Sequence, residues 1–119
     1  MEIIEREVKV LTLDNGKCPF EEWFSSLKEL STRLRISARV ARVQNGNLGD
    51  VRGVGAGIHE IRLDFGPGYR LYFALAGQVI IVLLAGGDKS TQSKDIQTAQ
   101  RLWKENQDAT ERFQRDFGA

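Results

Sequence analysis

The sequence of 119 residues contains one cysteine, one histidine and two prolines, and it has no long apolar run. A single cysteine excludes an intramolecular disulfide framework, and a single histidine leaves no cluster of zinc-type ligands. The longest apolar run, residues 79–85, suits a strand, because a membrane span needs about 18 apolar residues. The opening residues, MEIIEREVKV, carry acids where a secretory signal needs a basic segment. These absences predict a soluble cytoplasmic protein with one domain over residues 1–119 and no contact with a membrane.

The charges are unevenly distributed, although 17 basic and 16 acidic residues give a net charge of only +1. Residues 1–32 carry four Lys or Arg and seven Asp or Glu, a net −3. Residues 33–104 carry eleven and five, a net +6, and residues 105–119 carry two and four, a net −2. The basic middle segment favours an anionic partner such as nucleic acid, but an uneven spread of solvated side chains would produce the same counts.

A strand and two helices are predicted for the first 44 residues. Residues 3–13 mix β-branched and charged residues in rough alternation, which predicts a half-exposed strand. Pro19 suits the first position of a helix, and Ser31 can cap a second helix that runs to about Gln44. The first helix has an apolar face of Phe20, Trp23, Phe24, Leu27 and Leu30. The second helix carries Arg33, Arg35, Arg39 and Arg42, which form either a solvated face or a face that contacts an anion.

A glycine-rich segment follows, NGNLGDVRGVGAG at residues 45–57, with a possible short strand over 51–54. Its glycines do not indicate a nucleotide-binding loop, because the next element is a strand and not a helix whose N-terminus could hold phosphate.

Residues 58–65 and 69–74 alternate in polarity and predict a hairpin closed by a three-residue loop, Gly66 to Gly68. If Phe65 pairs with Tyr69, Asp64 faces Arg70 and Arg62 faces Tyr72 across the two strands. One face of the sheet then collects the polar side chains Glu60, Arg62, Asp64, Arg70 and Tyr72. The apolar run that follows predicts a central strand.

The last predicted element is a helix capped by Ser90 or Thr91. From about residue 105 the tail is either helical, with Phe113 continuing the apolar face of the helix, or frayed. The order β-α-α-β-β-β-α predicts an α+β fold with a mostly antiparallel sheet and helices packed against it.

Three segments together resemble the RelE/ParE superfamily of toxins from type II toxin–antitoxin systems, in the HigB-like branch of addiction module killer proteins. The segments are PFEEWFSSL at 19–27, GNLGDVRGVGAGIHEIRLDFGPGYRLYF at 46–73 and LLAGGDKSTQSKDIQTA at 83–99. The resemblance implies a RelE-like fold and a toxin neutralised by a cognate helix-turn-helix antitoxin. It implies operator DNA as a partner only through that antitoxin.

In the RelE branch the resemblance implies an endoribonuclease that cuts mRNA on the ribosome. The RNA's own 2′-hydroxyl attacks the adjacent phosphate, so that this chemistry needs no metal or cofactor. Carried over from that branch, the catalytic positions are Arg62, Arg70 and Lys89. Arginine suits the stabilisation of extra phosphate charge, because it is permanently charged and offers two parallel donors.

Further RNA contacts are predicted for Tyr72, Lys94, Arg39 and Arg42, each of which could instead be an ordinary strand or surface side chain. His59 is predicted to be packed, because it alternates with Ile61 and Leu63. Asp88, Gln92 and Asp95 are expected to order the loop and cap the helix.

The chain departs from RelE at two positions. Ile96 stands where RelE has a catalytic tyrosine, and Glu60 stands where it has a lysine. A carboxylate at that position would either repel phosphate or serve as a general base. Two other functions therefore stay open, a ParE-like inhibitor of gyrase or another host protein and a degenerate toxin that binds only its antitoxin.

Overall fold

A single mixed sheet organises the computed structural model, which describes residues 5–107 and 114–117. The first half contains strand β1 (Glu7–Leu11) and the helices α1 (Pro19–Ser26) and α2 (Leu30–Gln44). Four strands follow: β2 (Val51–Gly53), β3 (Ile58–Arg62), β4 (Tyr69–Ala76) and β5 (Ile80–Asp88). A 3₁₀ turn (Lys89–Thr91), helix α3 (Gln92–Asn106) and a short strand β6 (Gln114–Asp116) complete the described elements.

The six described strands have the spatial order β2-β3-β4-β5-β1-β6. Only the pairing of β1 with β5 is parallel among them, and every other neighbouring pair is antiparallel. The predicted α+β class and the mostly antiparallel sheet are confirmed. Strand β6 differs from the helical or frayed tail that the sequence predicts, and Phe113 lies outside the described residues.

Helices cover both faces of the sheet. Helices α1 and α2 pack on one face, where Phe20, Ile36 and Val40 join a buried cluster with Ile61 and Phe73. Helix α3 covers the other face, in a second cluster that consists of Leu11, Ile58, Tyr72, Ala74, Val82, Leu84, Ala85, Ala99 and Leu102. The polar side chains of β3 and β4 point to this second face, because Glu60 and Arg62 alternate with the residues of the first cluster.

The β3–β4 hairpin has a register that differs by two residues from the predicted one. Arg62 lies opposite Arg70, and Glu60 lies opposite Tyr72. The strands separate after Arg62, and the backbone N–H of Leu63 donates to the carbonyl of Tyr69 at 3.0 Å. The connection is therefore wider than a three-residue loop, and two like charges become direct cross-strand neighbours.

The predicted helix caps are confirmed only in part. Thr91, one of the two alternatives, is the N-cap residue of α3, although its side chain makes no cap bond, whereas Ser31 does not cap α2. Helix α2 begins at Leu30, one residue before Ser31, and its N-cap Glu29 makes no side-chain cap bond. At the end of β5, the carboxylate of Asp88 accepts a hydrogen bond from the backbone N–H of Ser90 at 2.8 Å and caps the 3₁₀ turn ahead of α3. None of the helices in the described ranges combines the length and apolar character that crossing a bilayer requires.

Candidate functional site

A basic cleft lies where three neighbouring strands end. Arg62 stands at the end of β3, Arg70 near the start of β4 and Lys89 directly after β5. Strands β3, β4 and β5 are neighbours in the sheet, and each runs antiparallel to the next. The end of β3, the start of β4 and the end of β5 therefore lie at the same edge of the sheet. The cleft has a volume of about 540 Å³ and is lined by Asp50, Arg62, Leu63, Asp64, Gly66, Pro67, Gly68, Arg70 and Lys89. The three residues predicted to be catalytic thus share one cavity.

Arg70 forms the floor of the basic cleft. Its residue surface is only 6% exposed. One guanidinium nitrogen, Nη1, donates to the backbone carbonyls of Gly68 and Tyr69 at 3.3 Å each. The buried Nε atom has no hydrogen-bond partner among the described residues. Because this atom is buried, an anion in the cleft does not reach it, and it lies 3.9 Å from the carboxylate of Glu60.

Arg62 and Lys89 are more accessible than Arg70. The Arg62 side chain keeps 40% of its surface exposed, and Lys89 is exposed at the first position of the 3₁₀ turn. The loop backbone allows this approach at Gly68, which has φ +81°. A Cβ atom there would lie 3.3 Å from the Cβ of Lys89 and 3.5 Å from Nη1 of Arg70. Glycine at this position therefore lets the loop close against both cations.

A fully buried carboxylate, Glu60, lies beneath the basic cleft. Its Oε2 accepts hydrogen bonds from the hydroxyl of Tyr72 at 3.1 Å and from Nε2 of Gln92 at 2.9 Å. Its Oε1 accepts from Nε of Arg52 at 3.1 Å and lies 4.0 Å from Nε of Arg62 and 3.9 Å from Nε of Arg70. We call these six residues the Glu60 cluster. The carboxylate offsets the repulsion between the two opposed arginines.

The environment of Glu60 favours its ionised form. Burial alone would raise the pKa of Glu60, but hydrogen bonds from Gln92, Tyr72 and Arg52, together with the charge of Arg52, lower it below its usual value. Glu60 is therefore an anion at neutral pH. Because none of its surface is exposed, it neither faces phosphate nor reaches a substrate proton. The structure thus removes both roles that the sequence left open for this carboxylate.

Tyr72 is a correction to the predicted set of RNA contacts. Its side chain is fully buried, and its hydroxyl donates to Glu60. Burial raises the pKa of Tyr72, and the negative charge and hydrogen bond of Glu60 raise it further. The ring cannot stack on a base at the surface, so that this residue holds Glu60 in place instead.

A second cavity, which we call the arginine groove, continues from the basic cleft. It has a volume of about 380 Å³ and is lined by Arg35, Arg39, Arg42, Gly49, Asp50, Arg62, Leu63, Asp64 and Phe65. Arg62 lines both cavities. Arg42 is exposed, and the guanidinium carbon of Arg35 lies 3.8 Å above the centre of the Phe65 ring.

Arg39 differs from the other arginines of the groove, because it is buried and already bonded. Its guanidinium donates to the backbone carbonyl of Leu48 and, at 3.4 Å, to that of Asn47. Burial lowers the pKa of Arg39, the charge of Arg42 lowers it further, and Asp50 acts in the opposite direction. Arg39 therefore supports the loop after α2, and its predicted contact with RNA has little free surface to use.

The remaining predicted residues lie apart from the two cavities. Lys94 is exposed on α3 and lines neither of them. The imidazole of His59 stacks on Phe73 with 5.1 Å between ring centres, so that it is packed as predicted. Ile96, at the position of the RelE tyrosine, packs against the second core cluster.

The residues expected to order the loop before α3 do so. Asp88 caps the 3₁₀ turn, and hydrogen bonds from the side chain and backbone of Ser90 lower the pKa of Asp88. The hydroxyl of Thr91 donates to Asp95 at 2.5 Å, and Gln92 binds Glu60.

Sequence reasoning missed Arg52 and Gln92 as partners of Glu60, and Arg35 as part of the groove. Arg52 stands opposite Glu60 in the register of β2 with β3, which the weak strand signal at 51–54 could have indicated. The contact of Gln92 with Glu60 joins residues 32 positions apart, and local spacing carries no signal for it.

Comparison with known proteins identifies a relative in Haemophilus influenzae that is described as an uncharacterized protein. The two chains are 49% identical over 86 residues, which cover 72% of this chain and 87% of the relative. No protein-family model matches this chain, and no solved structure matches it.

Proposed function

This chain belongs to the family of the uncharacterized Haemophilus influenzae protein, and we propose that it is the toxin of a type II toxin–antitoxin system. In this proposal it has a RelE-like fold in the RelE/ParE superfamily and cuts mRNA on the ribosome. Its partners are a cognate helix-turn-helix antitoxin, the ribosome and mRNA, with operator DNA bound only through the antitoxin. The strings that resemble the HigB-like branch and the order of strands and helices support it.

The observation that carries the proposal is the convergence of Arg62, Arg70 and Lys89 in the basic cleft. Three cations in one cavity are the arrangement that a phosphate with extra negative charge requires. The guanidinium of Arg70 is fixed by the carbonyls of Gly68 and Tyr69, so that this cation is in place before an anion binds. The carboxylate of Glu60 holds Arg62 and Arg70 from below, and because it is fully buried it does not contact the substrate.

The proposed reaction is an internal transfer at one phosphate of the RNA. The 2′-oxygen forms a bond to phosphorus while the bond from phosphorus to the 5′-oxygen breaks, which leaves a 2′,3′-cyclic phosphate and a 5′-hydroxyl. Arg62 and Arg70 stabilise the added charge on the phosphate oxygens, and Lys89 gives a proton to the departing 5′-oxygen. The proton of the 2′-hydroxyl passes to one of the exposed carboxylates that line the cleft, Asp50 or Asp64.

The arginine groove supports a path for the rest of the RNA strand. It shares Arg62 with the cleft and presents Arg42 to solvent. A cationic track on both sides of the cut position would hold the backbone and align the attacking hydroxyl.

The test is induction of the chain in bacteria, with measurement of growth and of new 5′ ends in translated mRNA. We expect growth arrest and cleavage from the parent chain, and neither from Arg70→Ala. A single electrostatic donor of this kind is worth roughly 100- to 1,000-fold in rate. Lys28→Ala, an exposed cation outside both cavities, is the matched control and should arrest growth as the parent does.

Circular dichroism of purified Arg70→Ala establishes whether the variant is folded. Loss of growth arrest and cleavage supports the assignment only when the variant is folded. Growth arrest by folded Arg70→Ala at the parental level would refute the assignment. Arrest with intact mRNA and altered DNA supercoiling would instead identify a gyrase inhibitor. Tight binding of the antitoxin without any arrest would identify a degenerate toxin.

A further inference from the structure

A third cavity, which we call the distal pocket, lies at the opposite end of α3 from the basic cleft. It has a volume of about 730 Å³ and lies between the β2–β3 turn and the second half of the helix. Ala56 and Gly57 form one wall, and Gln97, Trp103 and Lys104 line the other. None of the residues predicted to be catalytic or RNA-binding contributes to it.

Trp103 gives the pocket an aromatic wall. The indole is partly buried against the second core cluster, which holds it in place. Its Nε1 faces the turn, since a Cβ atom at Gly57 would lie 3.7 Å from it. No aromatic ring stacks on Trp103 within the described ranges. The pocket thus has a half-buried indole in its lining, and a ring of this kind can stack on a planar ligand.

The wall opposite Trp103 is built from strained backbone. Ala56 has φ +55°, the only positive value at a non-glycine position in the described part of the chain. The turn is held by the N–H of Ile58, which donates to the carbonyl of Gly55 at 3.0 Å, and by Nε2 of Gln100, which donates to the carbonyl of Val54 at 2.9 Å. Strained backbone that is kept rigid is concentrated at binding sites.

The electrostatic character of the pocket favours an anionic ligand. Arg101 and Lys104 are exposed at its rim, and none of the described residues that line it is a carboxylate. Arg101 also forms an exposed ion pair with Glu105 at 3.2 Å, so that Lys104 is the more available cation. A ligand with a flat apolar ring and a phosphate matches this lining.

The distal pocket and the basic cleft are connected along the same face of the sheet. Strand β3 begins next to the pocket at Ile58 and ends in the cleft at Arg62. Arg52 lies opposite Glu60, midway along this path, and half of its side chain is exposed. The five residues of β3 span about 16 Å, at roughly 3.3 Å for each residue. At about 3.4 Å for each stacked nucleotide, about five nucleotides would cover that distance.

We infer that the distal pocket binds a nucleobase of single-stranded RNA. This base lies several nucleotides away from the phosphate that is cut in the basic cleft, and it stacks on Trp103 while a neighbouring phosphate contacts Lys104. This inference rests on the proposed function, because it extends the path of the same RNA strand. Gln97 offers an amide that can pair with base edges. Stacking on an aromatic ring accepts any base, so that the pocket contributes affinity more than sequence preference.

The test uses tryptophan fluorescence, since the chain has only two tryptophans. In Trp23→Phe, the indole of Trp103 is the remaining one. We expect a short single-stranded oligoribonucleotide, 2′-O-methylated so that it cannot be cut, to quench this emission. Trp23 lies against Gly86 on the other face of the sheet, and its emission in Trp103→Phe should not respond.

Affinity for the same oligonucleotide, measured by fluorescence anisotropy of a labelled strand, provides a second readout that does not depend on Trp23→Phe folding. Trp103→Leu should bind about tenfold or more weakly, while Trp103→Phe should bind nearly as the parent does because it keeps a ring. Equal binding by Trp103→Leu, or no quenching by RNA, would overturn the inference. Quenching by the antitoxin alone would overturn it as well and identify a protein interface.

The two proposals fail in different ways. Cleavage of mRNA by a protein whose Trp103 does not respond to RNA would remove the distal pocket and leave the endoribonuclease in place. Quenching and binding by a protein that cuts no RNA would refute the endoribonuclease and leave an RNA-binding pocket. Arg70→Ala should abolish cleavage and still show quenching of Trp103.

Discussion

Glu60 determines how closely two arginines can approach each other in this protein. Without a carboxylate beneath them, Arg62 and Arg70 would be like charges in directly opposed strand positions, an arrangement that is destabilising. The hydroxyl of Tyr72 and the amide of Gln92 complete the hydrogen bonds of the carboxylate. A buried anion of this kind supports the site by holding cations and not by reacting.

We expect Glu60→Gln to lower the free energy of unfolding at pH 7 by about 3 kcal/mol, because it leaves partly buried guanidinium groups without their counter-charge. Urea denaturation measures this difference. Glu105→Gln, which removes an exposed carboxylate from α3, should change the free energy of unfolding by about 0.5 kcal/mol or less.

The difference in unfolding free energy between the parent and Glu60→Gln is predicted to depend on pH. The pKa of Glu60 is lowered in the folded state, so that the ionised carboxylate stabilises the fold above the ordinary glutamate pKa of about 4.3. This contribution is lost as the pH falls through the lower folded-state value. The difference in unfolding free energy between the parent and Glu60→Gln should therefore be constant near neutral pH and shrink below about pH 4. A difference that grows on acidification would contradict the ionised state of Glu60.

At the scale of the elements, the β3–β4 loop decides whether the cations of the cleft converge. The strands separate after Arg62, and the loop returns to Tyr69 through Gly66 and Gly68, which both have positive φ. Gly68 brings the loop backbone against Arg70 of β4 and Lys89 of the 3₁₀ turn. The convergence thus depends on a backbone conformation that few other residues adopt.

Gly68→Ala should destabilise the protein by about 1–2 kcal/mol, because the new Cβ requires a strained left-handed backbone and must push Lys89 or Arg70 aside. Under the proposed function, mRNA cleavage should fall as well. Thermal unfolding and cleavage assays measure the two effects. Gly53→Ala is a matched control, since a Cβ there meets open space and the backbone needs no positive φ. Equal effects of the two substitutions would contradict this account of the loop.

At the scale of the whole molecule, exposed cations are distributed over two connected cavities and a third one at the far end of α3. Arg62 joins the basic cleft to the arginine groove, and Arg52 lies between the cleft and the distal pocket. This distribution explains how a chain with a net charge of only +1 can present a cationic surface. The acidic segments lie mainly before residue 33 and after residue 104.

Under the proposed function, the salt dependence of RNA binding reports how many cations contact phosphate. Arg42→Ala should reduce the slope of log affinity against log salt by about 0.7, the value for one contact with a single strand. Arg39→Ala should leave that slope unchanged, because its guanidinium is bonded to backbone carbonyls, and should lower thermal stability instead. Titration of a 2′-O-methylated oligoribonucleotide at several salt concentrations measures both slopes. A loss of slope in Arg39→Ala would show that this buried arginine contacts RNA after all.

The sequence by itself determined the α+β class and the first position of α1 at Pro19, whereas Arg62, Arg70 and Lys89 were named by the resemblance and brought into one cavity by the tertiary structure. Periodicity and helix-start signals are local, so that they can be recognised without knowing what packs against each element.

Only the tertiary structure decided the register of the hairpin, the burial of Tyr72 and Glu60, and the division of the arginines into bonded Arg39 and exposed Arg42. Each of these depends on contacts between distant parts of the chain, such as Gln92 of α3 reaching Glu60 of β3. Alternation along a strand assigns a side chain to a face of the sheet, but the helix that covers that face determines whether the side chain meets solvent or becomes part of the core.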